Sequence, residues 1–179
     1  MFANRRATAI VSGAMIALAL VVCATLRAQP HEPPAPPPSA AQPALDHLKQ
    51  LAGEWVFAEG EHKGQTAVNY TVSSGGTVVV ETLFPGSGHE MVSVYHCDGD
   101  KLMMTHYCAV GNQPQMHADP ADGKLVFTFT GGSNMKESDG HMHAMTMTFV
   151  DDDHLNEDWT WQQQGQGGTE SFKFERKKG

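Results

Sequence analysis

Residues 44–57 read ALDHLKQLAGEWVF, and a change of period inside this stretch decides the fold. Leu45, Leu48 and Leu51 are spaced for one face of a helix, and that spacing stops at Gly53. Beyond it the apolar residues mostly alternate. The runs EWVFAE (54–59), TAVNYTV (66–72), TVVVETLF (77–84), HEMVSVYH (89–96), KLMMTHYCA (101–109), PQMHAD (114–119), KLVFTFT (124–130), MHAMTMTFV (142–150), LNEDWTWQQ (155–163) and TESFKFERK (169–177) are rich in Val, Thr and aromatic residues. Turn signals separate them, among them SSGG (73–76), CDGD (97–100), VDDDH (150–154) and QGQGG (164–168). The pattern predicts an all-β domain over 44–178: one short N-terminal helix, then an antiparallel up-and-down barrel of about ten strands.

The short helix, the Gly53-Glu54-Trp55 that opens the first strand, the strand meander and Arg176 in the terminal FKFERKK (172–178) together resemble the two ends of a calycin barrel. That group comprises the lipocalins, the fatty-acid-binding proteins and the nitrobindin-like proteins, and the chain is similar to secreted bacterial lipocalin-like proteins. The resemblance covers the ends of the domain and the strand count. It implies that Gly53, Trp55 and Arg176 are structural, with Trp55 beneath the barrel floor and the Arg176 guanidinium over its indole. It further implies a ligand in the lumen. Haem, carried by the nitrobindin-like group on a histidine near the C-terminal end of the barrel, does not transfer: TESFKFERK has no histidine, and the last one is His154. No cofactor is assigned.

Toward the N-terminus, Arg5 and Arg6 precede the apolar run ATAIVSGAMIALALVVCATL (7–26), and Ala28 is a small residue at a fitting distance. This reads as a secretory signal peptide over 1–28, with a retained membrane anchor as the alternative. LVVC (20–23) resembles a lipoprotein signal that would lipidate Cys23, although valine before the cysteine matches it poorly. Residues 29–43 are a proline-rich linker that favours extended polyproline II. A secreted or periplasmic location follows from the signal. Removing the three arginines of 1–28 from twelve basic side chains leaves nine against twenty acidic ones, a formal −11. Such a chain repels nucleic acid and anionic membranes, so no nucleic-acid partner is expected. The oligomeric state is not legible.

Alternation assigns faces. In HMHAMTMTF (141–149) the odd positions His141, His143, Met145, Met147 and Phe149 share a side opposite Thr146 and Thr148, and the threonine face suits water. Leu155, Trp159 and Trp161 share a side, as do Leu125, Phe127 and Phe129. A two-residue turn at CDGD puts His89, Met91, Tyr95 and Cys97 on one face with Met104, His106 and Cys108. Cys97 then lies near the turn and Cys108 about 20 Å from it, which predicts two free thiols.

Seven of ten histidines fall between His89 and His154 and eight of ten methionines between Met91 and Met147, so any chemistry belongs to the middle strands. Three functional readings stay open. The first is an apolar or aromatic small molecule in the lumen, held by Tyr95, Met104, His106, Phe127, Phe129, His143, Met145, Met147, Phe149, Trp159 and Trp161. The second is copper or zinc. His141 and His143 are two apart on a strand, about 6.6 Å between Cα atoms, and His89, Met91, His106 and Cys108 make a second donor group. The third is an envelope module with a filled core and no ligand.

Catalysis is not indicated. Neither a nucleophile elbow nor a Walker loop is present, Glu157 and Asp158 point to opposite faces, and Glu81 and Glu90 read as lone exterior acids. His106 with Cys108 is the residual thiol pair. AVGNQPQMHADP (109–120) reads as a strand connection, with a mouth loop carrying Met116 and His117 as the alternative.

Overall fold

The computed structural model describes residues 39–121, 123–136 and 138–178, with the backbone alone at 119–121. The signal peptide expected over 1–28, Cys23 and the linker up to residue 38 lie outside the described residues. The helix α1 spans Gln42–Lys49, with Pro43 in its first turn and Ala44, Leu45 and Leu48 buried. Ala41 is buried as well, so the folded domain extends ahead of residue 44. No described helix is long and apolar enough to cross a membrane.

Ten strands follow: β1 (Gly53–Phe57), β2 (Thr66–Ser73), β3 (Val78–Leu83), β4 (Met91–Asp98), β5 (Lys101–Tyr107), β6 (Gln113–Ala121), β7 (Lys124–Ser133), β8 (His141–Asp151), β9 (His154–Gln163) and β10 (Gln166–Arg176). Each pairs antiparallel with the next, and β10 pairs with β1, which closes the barrel. The architecture is the all-β up-and-down barrel with a short helix, compatible with a calycin-like fold.

Local chemistry sets the register. Asp98 pairs with Lys101, so Gly99-Asp100 is the two-residue turn, and Gly99 takes φ 56°. Cys97 and Cys108 are free thiols. The segment 113–121 forms β6, and Met116 is a core residue rather than part of a mouth loop. Pro114 donates no amide, and the ladder shifts between Gln115 and Met116.

One barrel end is plugged. Leu45, Leu48 and Leu51 enter the core above Trp55, which is fully buried. The Trp55 indole donates to Leu51 O at 2.8 Å, and the Arg176 guanidinium lies 4.4 Å from its ring centre. Arg176 also donates from Nε to Asp152 O and from Nη2 to Gln50 O, both at 3.0 Å. Trp55 and Arg176 are register partners of β1 and β10, so strand pairing delivers the cation to the indole. Gly53, at φ +122°, faces Arg176 Nη1, and a side chain there would be strained. Phe149 stacks on His47 of α1 at 3.8 Å. The barrel end where β7 finishes and β8 begins is the one away from α1.

Candidate functional site

The lumen is packed. Tyr95, Met104, His106, Phe127, Met145 and Met147 are at 0 % exposure and Trp159 at 3 %. A side chain with no accessible surface abuts no void wide enough for a water. These seven residues, expected to line a ligand cavity, therefore fill one another's space.

Within this core lies a polar cluster. Register aligns four residues in one row across the wall: Tyr70 opposite Glu81, Glu81 opposite Ser93, and Ser93 opposite His106. Tyr70 Oη donates to Glu81 Oε1 at 2.8 Å, and Tyr95 Oη to Glu81 Oε2 at 2.7 Å. Across the lumen, Glu157 Oε1 meets Tyr70 Oη, and Trp159 Nε1 donates to Glu157 Oε2 at 2.9 Å. Ser93 Oγ lies 3.1 Å from His106 Nδ1, and the His106 ring sits 4.7 Å from that of Trp159. The contacts make a continuous arc from Ser93 round to Glu81.

Counting protons assigns the charge states. Tyr70 has one hydroxyl proton and faces two carboxyl groups, so one of these two contacts needs a carboxyl proton. Burial, then the negative charge of Glu81, holds the Glu157 carboxyl well above the usual carboxylate range. Burial pushes both tyrosine phenols up, so they stay protonated. It also pushes the His106 imidazole down to about 4. His106 Nε2 has no hydrogen-bond partner among the described residues. The cluster is a sealed acid pair bridged by the Tyr70 hydroxyl, with Glu157 held neutral. With Glu81 and Glu157 at 0 % exposure, solvent does not reach it.

This corrects the expectation that Glu81 is a lone exterior acid. The signal was legible in part. Glu81 alternates with the buried Val79 and Leu83, and Glu157 with Leu155 and Trp159. Parity alone places both inside; what it does not show is that they meet.

Open space at the barrel end away from α1 borders Phe129 and His143 of the expected residues. A cleft of about 640 Å³ is lined by Phe129, Ser138, His141, His143, Gln162, Gln164 and Gly165. Its shape comes from two irregularities. β8 shifts register between Met142 and Ala144, which makes His143 the extra residue of a bulge and re-aims its side chain. Beyond the barrel, residues 166–171 of β10 are exposed on both faces, so the β9–β10 hairpin projects past the rim. Phe129 lies 4.4 Å from the His141 ring and 5.3 Å from that of His143. His141 Nδ1 contacts Asp139 O at 2.8 Å, and its Nε2 lies 3.1 Å from His143 Nδ1. Partial burial, then His141, pulls the His143 imidazole below its ordinary value.

The remaining expected residues are dispersed. Trp161 lines a second groove with Gln163, Gln164, Gln166 and Gly167, and Phe149 belongs to the plugged end. The second donor group does not assemble. His89 is exposed in the turn before β4, and His106 is sealed in the core. Met91 Sδ and Cys108 Sγ meet at 4.0 Å, without either histidine. Among the described residues no three His, Cys, Asp or Glu side chains converge as a metal site.

No protein-family model matches the chain, and a search of the curated proteins finds no match. The class rests on the barrel itself.

Proposed function

We propose that the protein binds a small, flat aromatic or apolar molecule at the open end of the barrel, in the cleft of Phe129, His141 and His143, and that it does so outside the cytoplasm. The observation that carries this reading is the cleft: an aromatic face beside two imidazoles in space of small-molecule size, at the end α1 leaves uncovered. Apolar stacking on Phe129 would supply the affinity. Imidazole and glutamine amide groups would orient the ligand's polar atoms. The site is shifted from the lumen to the mouth, where there is room.

A second reading, an envelope module without a ligand, is favoured by the filled lumen. A thermal-shift screen of small aromatic acids, amines and amides separates the two. Binding by at least one class, weakened about tenfold or more by Phe129→Ala, supports the cleft. A panel without a hit, or hits indifferent to Phe129→Ala, supports the module.

A further inference from the structure

The imidazoles of His141 and His143 are arranged as a chelate. The Asp139 carbonyl can only accept, so at 2.8 Å it fixes the proton of His141 on Nδ1 and leaves Nε2 a bare lone pair. That lone pair faces His143 Nδ1 at 3.1 Å. Without an ion, His143 Nδ1–H donates across this gap. With one, the His143 proton moves to Nε2 and both nitrogens turn lone pairs to the same point. Two nitrogens 3.1 Å apart, each about 2.0–2.1 Å from a shared ion, subtend about 100° at it, between the square-planar and tetrahedral angles.

The surroundings fit the same role. A backbone carbonyl holding the far nitrogen of a ligating imidazole is the usual support that orients it on a metal. His143 is the bulged residue of β8, which explains how histidines two apart bring their rings together. The site opens to solvent, and Ser138, Gln162 and Gln164 line the same cleft as oxygen donors.

From this geometry we propose that His141 Nε2 and His143 Nδ1 bind one divalent copper or zinc ion, its remaining positions filled by water or by cleft oxygens. The inference goes beyond the small-molecule reading and stands without it.

The test is titration of tag-free full domain with Cu²⁺ and with Zn²⁺ by calorimetry, with electron paramagnetic resonance of the copper form. One ion binds per chain, and the copper spectrum shows coupling to two imidazole nitrogens. His143→Ala, at a half-exposed position, and His141→Gln each weaken binding about tenfold or more, since even losing a support to a ligand costs that much. His154→Ala, on the exposed surface, leaves it unchanged. Melting curves of the metal-free variants confirm that each is folded before titration. Binding unaltered in folded His143→Ala, or copper without two-imidazole coupling, overturns the proposal.

Discussion

Glu157 and His106 are both buried without charge, and their titrations act on stability from opposite sides. Glu157 has a raised pKa when folded, so its contribution is complete below the ordinary glutamate value and is lost as pH climbs toward the raised one. His106 has a lowered pKa, so its contribution is complete above the ordinary histidine value and is lost as pH falls from 6.5 to about 4. The histidine alone is worth on the order of 3 kcal/mol across that window. Urea unfolding between pH 4 and 9 should therefore show a plateau from 4.5 to 6.5, where the two opposing slopes offset, with stability falling on either side. Glu157→Gln should flatten the alkaline side, because the amide keeps a donor toward Tyr70 and has no proton to lose. A profile unchanged by Glu157→Gln would mean that the acid is not the neutral partner of Glu81.

Individual strands and the helix carry separable costs. Leu48→Ala removes a fully buried side chain of α1 and should cost about 2–5 kcal/mol in urea denaturation. Arg176→Ala loses the indole contact and three carbonyl bonds, and should cost about 1–3 kcal/mol, with Arg176→Lys recovering part of it. Gly167→Ala should destabilise the β9–β10 hairpin, since a methyl group there runs into the Trp161 carbonyl, which is backbone and cannot yield. The elements were legible because period and turn residues are local properties: each of the ten strands overlaps one of the expected runs, although eight of them extend past its ends. The bulge at His143 was not. Nothing in HMHAMTMTF shows that the ladder slips there, because the slip depends on what β9 presents opposite.

Across the whole molecule, closure of the barrel decides what the strands can do. Glu81 and Glu157 stand far apart in sequence and meet only because β9 closes across the lumen from β3. Side-chain parity says which residues go in, but not how large the space is. Methionine and aromatic faces looked like a cavity wall and proved to be a packed core. Cys97 and Cys108, by contrast, are kept apart locally by the β4–β5 register, one beside the turn and the other just past the far end of β5, so a reducing agent should leave the melting temperature unchanged.

The proposed binding surface is the cleft at the open end and not the lumen. Carbon-13 spectra of protein labelled at the methionine methyls and the histidine rings test it directly, with an aromatic probe from the thermal-shift panel added in steps. Binding in the cleft moves the His141 and His143 signals and leaves those of Met104, Met116, Met145 and Met147 in place. Moving core methionines beside unmoved histidines would contradict it and return the ligand to the lumen.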